Sequence, residues 1–330
     1  MDAEEISLPG DAKPQLPNCR SLTVPEHAET MTGFIVSLLA KFGDVMVAIL
    51  PSIVVGGVVF AMLSWLPSQA CNRDKPWWRN RGLLTDGCYC FILPFFIPYM
   101  RIALLIFGVG LMAWLVDAMD FGAALEKGYG PIGTLPLWAQ AAIYLVLSDF
   151  LMYWIHRLFH GKRMWRYHAI HHSAEDVDWT TAYRFHPLNL WLDPFLVDAV
   201  LVFMGVPVLV LALVAPLNTL TSFYVHANLN WTLGPLKYVI ASPVFHRWHH
   251  TMPDRGGDKN FASNFSLWDV LFGTFYMPEG KLPETYGVKE PNFPTTFGGQ
   301  LIYPFLVRES ENVEVKGIVS RATSASLHRR

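Results

Sequence analysis

Charge is scarce in this chain. Asp, Glu, Lys and Arg make up 16% of its 330 residues, where soluble domains carry about 25%. Hydrophobic residues reach 52% and the mean hydropathy is +0.28, a composition that leans towards the membrane class. The net charge of -2, with no Lys/Arg stripe interleaved with aromatics, excludes a nucleic-acid footprint. Cysteine is equally sparse. Cys19, Cys71, Cys88 and Cys90 have no CxxC spacing, which excludes a thiolate zinc site and a disulfide framework. Internal repeats and low-complexity tracts are absent and strand signals are few. The first 30 residues are polar and proline-bearing, without the apolar core of a secretory signal.

What the chain does have is long apolar runs. Residues 45–66, "VMVAILPSIVVGGVVFAMLSWL", contain no charge and exceed the roughly 20 residues a helix needs to cross a bilayer. A second run, 91–118, is interrupted only by Arg101 and Asp117, and a third, 136–155, only by Asp149. The fourth, 187–225, is too long for one crossing, and "MGVP" at its middle predicts a hairpin of two legs. The fold class expected is all-α: a membrane helical bundle of about four spans or legs. Basic residues flank these spans on one side: Arg73, Lys75, Arg79 and Arg81, then Arg157, Lys162, Arg163 and Arg166. Positive-inside bias places both stretches in the cytoplasm. The expected division is a polar tail over 1–33, a membrane region over 34–135, a site-bearing domain over 136–280 and a C-terminal segment over 281–330.

The histidines are the second excess. Of 12 in the chain, five fall in "HRLFHGKRMWRYHAIHH", residues 156–172, and three more in "HRWHH". His156 and His160 are one helical turn apart. His168, His171 and His172 have i, i+3, i+4 spacing, which His246, His249 and His250 repeat. A catalytic zinc takes about three protein ligands, so eight imidazoles predict two metal ions. Imidazole suits iron, copper and zinc alike. His226 is expected as a ninth ligand. It lies with Thr219, Ser222 and Asn230 on a polar stripe of an otherwise apolar leg, which must face the interior or a wet cavity. Asn230 is placed within reach of a metal-bound water. Asp149, two turns before His156 in an apolar span, is expected to accept the outer N–H of a ligating histidine, and Asp269 to act similarly or to cap a helix. Arg184 and His186 in "YRFHP" are read as head-group contacts at a substrate entrance. A turn role competes for His186, since Pro187 restricts it.

HxxxH, HxxHH and a distant HxxHH, with the phrases "SDFLMYWIHRLFH", "HHSAEDVDWTTAYRFHP" and "DKNFASNFSLWDVLFGTFYMP", resemble the fatty acid hydroxylase and sterol desaturase superfamily of membrane di-iron oxygenases. The similarity covers roughly 136–280. Ala262 departs from it, since relatives usually place glycine there. The resemblance implies two irons, with dioxygen as co-substrate, attacking an unactivated C–H bond of a lipid (sterol, acyl chain, alkylglycerol or ornithine lipid). It also implies that a histidine like His226 joins the metal shell. The chain holds no cytochrome b5 haem motif and no convincing GxGxxG fingerprint. A separate electron donor is therefore expected, a cytochrome b5-like protein or a ferredoxin with its reductase. The membrane expected is a bacterial inner membrane or the endoplasmic reticulum, with the histidine clusters forming a cytoplasmic helical cap. The competing class is a non-enzymatic metal-binding transporter, which should carry ligands within its spans.

Overall fold

The computed structural model describes residues 50–96 except 52 and 67, residue 99, and residues 127–307. The expected tails and most of the second apolar run lie outside the described residues. Within them the fold is helical, and extended pairing is limited to two isolated bridges, Ala70 with Leu229 and Thr251 with Tyr286. The helices are α1 (Ile53–Trp65) and α2 (Leu83–Phe96), then α3 (Leu137–Phe159), α4 (Trp165–His172), α5 (Pro187–Phe203), α6 (Val208–His226), α7 (Pro243–His249), α8 (Leu267–Leu271) and α9 (Phe297–Leu306).

α3 and α6 are long and apolar enough to cross a membrane. Within the described residues α1 and α2 are apolar helices of 10–17 residues. α2 begins ahead of the run expected at 91, because its one carboxylate, Asp86, is neutralised by the Arg184 guanidinium at 2.5 Å. The hairpin expected at "MGVP" forms, α5 ending at Phe203 and α6 starting after Pro207. Gly205 makes the reversal with φ 102°, where a side chain would strike the Tyr129 carbonyl.

α3 packs against both α5 and α6. The core between them holds Tyr144, Val197, Leu201, Val210 and Val214. α1 closes on α6 through Ile53, Phe60 and Phe223. The approach is tight: a Cβ on Gly56 would lie 2.7 Å from the Phe223 ring. Leu196, Val200, Leu209, Leu213 and Leu217 face outward, as helices bathed in lipid require. α4 and α7 are short, packed on α3 and α6 respectively. α4 is buried through Ile170, which meets Tyr89 and Leu93 of α2 and Phe297 of α9.

Candidate metal centre

Nine histidines meet at one end of α3 and α6, in two groups whose ligand nitrogens all lie within 4.8 Å of one another. One group is His156, His160, His168, His172 and His249; the other is His171, His226, His246 and His250. Helix geometry explains the division. At 3.6 residues per turn, positions i and i+4 are about 40° apart, while i+3 sits about 60° to the other side of i. Each i, i+4 pair therefore stays together and each i+3 residue crosses over. His168 and His172 join one group and His171 the other. His246 and His250 stay together, and His249 crosses back. Three rings do not stack on one side of each helix, as the spacing alone suggests.

The nitrogens face one another. His156 Nε2 is 2.9 Å from His168 Nε2. His226 Nε2 is 3.3 Å from His171 Nε2 and 3.1 Å from His246 Nε2, and His250 Nε2 is 3.2 Å from His246 Nε2. Two nitrogens bound about 2.1 Å from one ion and about 90° apart would be about 3.0 Å from each other. Buried His172 Nε2 and His249 Nε2 have no hydrogen-bond partner. Unpartnered buried nitrogens at ligand spacing are a donor set that a pair of metal ions fits.

Six of the opposite ring nitrogens are occupied, while Nδ1 of His246 and of His250 is buried without a hydrogen-bond partner. Nδ1 of His156 bonds the Phe261 carbonyl (2.6 Å), His171 the Arg184 carbonyl (3.2 Å), His226 the Ser222 carbonyl (2.6 Å) and His249 the Lys259 carbonyl (2.8 Å). His168 Nδ1 bonds Asn189 Oδ1 at 2.8 Å, and His160 Nδ1 bonds Asp258 Oδ1 at 3.2 Å. An acceptor there keeps the proton on Nδ1 and frees the Nε2 lone pair for a metal. Burial, then mutual repulsion among the rings, holds His171, His172, His246 and His250 well below the ordinary histidine pKa. Burial does the same for His168 and His249. These six imidazoles are neutral and ready to ligate.

Several expected roles need correction. Asp149 bonds no imidazole. It accepts from Asn264 N (2.8 Å), Asn264 Nδ2 (3.0 Å), Phe265 N (2.8 Å) and Trp268 Nε1 (3.0 Å), because a buried carboxylate takes the nearest cluster of donors. Asp269 accepts from Phe261 N and Ala262 N, both at 2.8 Å, and from Thr274 Oγ1 at 2.7 Å. It thus fixes the loop whose Phe261 carbonyl holds His156, one step behind the ligands. Asn230 faces away from the centre: its amide donates to the Ser68 carbonyl at 2.8 Å, since the chain turns out of the helix after His226. Arg184 is no entrance residue. A buried guanidinium needs a carboxylate, and Asp86 supplies it. His186 caps α5, its Nδ1 accepting from Leu188 N at 3.1 Å while Nε2 meets the Leu301 carbonyl at 3.2 Å. Its turn role is the one realised. Ala262 is fully buried without left-handed backbone, so the site does not require glycine there.

Three contributors were not singled out from the sequence. Asn189 supports His168, and Asp258 supports His160. Arg247, between the ligands of "HRWHH", is buried and donates to the carbonyls of Val177 (2.5 Å) and His226 (3.2 Å), to Tyr286 Oη (2.8 Å) and to Asn72. Asn189 left a faint signal, an amide in the first turn of an apolar helix. Arg247 left none.

A cavity of about 610 Å³ reaches the centre between α3, α5 and α6. His156, His168, His171, His226 and His246 line it, and the other four histidines lie behind them. Thr219 and Ser222 of the expected polar stripe face the same space.

A histidine-rich candidate di-metal centre at the end of apolar helices, opening on an apolar cavity, defines the class. Residues 141–274, which include all nine histidines, match the family model described as fatty acid hydroxylase. The chain is 30% identical over 171 residues to ornithine lipid hydroxylase OlsE of Rhizobium tropici, covering 52% of this chain and 51% of that one. It is 35% identical over 144 residues to alkylglycerol monooxygenase of Homo sapiens, covering 43% of this chain and 32% of that one. Methylsterol monooxygenase 2-2 of Arabidopsis thaliana is 28% identical over 182 residues, covering 53% and 66%. The chain thus spans about half or less of the first two relatives. No solved structure gives a significant match.

Proposed function

We propose that this chain is a membrane-bound di-iron oxygenase that hydroxylates, or less readily desaturates, a C–H bond of a lipid. The observation that carries the proposal is the division of nine buried histidines into a five and a four, with members of both groups lining one largely apolar cavity. Hydroxylation consumes O2, two electrons and two protons, putting one oxygen atom into the C–H bond and releasing the other as water. Two irons, when bound, would supply the oxygen activation and the hydrogen abstraction. The names of the relatives support a lipid substrate.

The chain's own residues have definable tasks. The nine histidines would hold the two ions, His156, His168, His171, His226 and His246 presenting them to the cavity. Asn189, Asp258 and the carbonyls of Phe261, Arg184, Ser222 and Lys259 hold the imidazoles in one tautomer. Asp149 and Asp269 anchor the 261–268 loop behind them. The apolar wall of α5 and α6 aligns an acyl or isoprenoid chain and keeps bulk water from the reacting carbon.

Electrons come from a separate protein, a cytochrome b5-like donor or a ferredoxin with its reductase. The histidine end faces the cytoplasm, where exposed Arg157, Lys162 and Arg163 cluster beside it. A transporter is disfavoured, because the proposed ligands sit together at one end of α3 and α6 instead of along the spans. Lipid mass spectrometry of cells with and without the chain tests the proposal. A lipid gaining one oxygen, or losing two hydrogens, is expected; an unchanged lipidome with the iron-loaded protein present refutes it.

A further inference from the structure

The far half of the cavity is not uniformly apolar. Tyr144 of α3 donates to Asp198 Oδ1 of α5 at 2.9 Å, and both residues line the cavity. Asn218 of α6 lines it as well, and its Oδ1 is buried without a partner. Pro216, two residues earlier, has no N–H to offer the Ala212 carbonyl, and both residues line this space. A carboxylate, an amide oxygen and a freed carbonyl are all acceptors, and a carboxylate inside an apolar helix bundle is functional by default.

The position is specific. Asn218 precedes His226 by eight residues and Asp198 follows Asn189, the partner of His168, by nine. At 1.5 Å per residue both lie about 12–14 Å along the helices from the histidines. Between the acceptors and the metal end the lining includes Met152, Phe223 and Val225 beside the hydroxyls of Thr219 and Ser222.

We propose that Asp198 and Asn218, with Tyr144 holding the carboxylate, form a seat for a hydrogen-bond-donating polar group of the substrate, a hydroxyl or an ammonium. The occupant is an amphiphile anchored at the seat, its apolar chain running to the histidines. The oxidised carbon is then set by its distance from the polar group. The inference rests on the oxygenase reading only for this last consequence, since binding at the seat does not require turnover.

The test measures binding of hexadecanol, hexadecylamine, methyl hexadecyl ether and hexadecane to the full-length protein in nanodiscs, by quenching of tryptophan fluorescence. A buried hydrogen bond to such acceptors is worth roughly tenfold in affinity. The alcohol or the amine should bind about tenfold tighter than the ether or the alkane; the amine leading marks an ionised Asp198, the two alike mark a hydroxyl seat. Asp198→Leu and, should that variant fold poorly, Asn218→Leu should shrink the preference to within about twofold. Equal binding of all four probes by the native protein, or a preference that survives in a folded variant, overturns the seat. In turnover, lengthening the alcohol should leave the oxygenated carbon constant when counted from the hydroxyl, and a position counted from the methyl end overturns the ruler. A preserved binding preference without any oxygen-dependent product leaves the seat standing and rejects the oxygenase.

Discussion

An imidazole buried in a protein has two nitrogens to satisfy, and in this centre they have different partners. Nδ1 goes to a carbonyl or side-chain oxygen wherever one is in reach, and Nε2 turns to its neighbours' Nε2. Asn189 is the one neutral side chain among these outer acceptors. Asn189→Leu should therefore cost about 10- to 100-fold in metal affinity or activity, the usual cost of losing such a support, readable by iron titration of the chelated protein. His226→Ala should lower iron from about two per chain towards about one, because four ligands become three in its group alone. His186→Ala should cost about 1 kcal/mol through its cap and leave iron unchanged. Metal analysis of both variants separates a ligand from a cap. Asp178 makes a different prediction. It is buried, and burial raises its pKa to about 7, against the opposing charge of Arg247. Folded Asp178 thus keeps a proton that the unfolded chain releases near pH 4. Its contribution to stability is full below about pH 4 and is lost as pH rises through about 7. The melting temperature of the native protein minus that of Asp178→Asn should fall across that window and level off above it; a constant difference would contradict the assignment.

At the scale of elements, short helices are given direction by what clasps their ends. α7 starts with a serine cap, Ser242 Oγ accepting from Phe245 N at 3.1 Å. The 261–268 segment is clasped twice, by Asp149 from α3 and by Asp269 of α8 just after it. An Asn at 149 would turn a donor towards amides that need an acceptor. Asp149→Asn should therefore destabilise by about 2–3 kcal/mol and shift the thermal midpoint before it alters chemistry. A variant that melts normally but loses activity would restore the expected contact with a histidine. The histidine motifs, the α5–α6 break and the polar stripe as far as His226, though not on to Asn230, were legible in the sequence, because each is a local spacing rule. What was not legible is contact across the fold. Asp149 was visible as an intramembrane carboxylate, but its partners lie 115 residues away and more. Arg184 looked available to a head group because nothing local indicated that Asp86, 98 residues earlier, would neutralise it. The four-span count likewise came from hydropathy; among the described residues α3 and α6 have the length and composition of spans, and α1 and α2 add two shorter apolar stretches.

Across the whole molecule, the centre is a concentrated conflict that bound metal would resolve. Nine imidazoles occupy the interior, and six of them, outside α3 and α6, are held well below their ordinary pKa by burial. Protonation cannot relieve the lone pairs that meet at 2.9–3.3 Å, so an ion held by these histidines would stabilise the folded state, having no equivalent site in the unfolded chain. At a free concentration about a thousand times the dissociation constant each ion adds about 4 kcal/mol. A domain of this size gains about 2–4 °C per kcal/mol. Chelator treatment of the purified protein should thus lower its melting temperature by on the order of 10 °C per ion removed, and iron should restore it. His226→Ala should show only part of that response, because one group remains complete. The depressed pKa values also fix the acid side. Protons compete for these nitrogens only well below pH 6.5, so iron should stay bound as pH falls through that value and leave only at lower pH. Identical melting curves with and without chelator, or iron released already above pH 6.5, would show that the histidines are packed for some purpose other than holding metal.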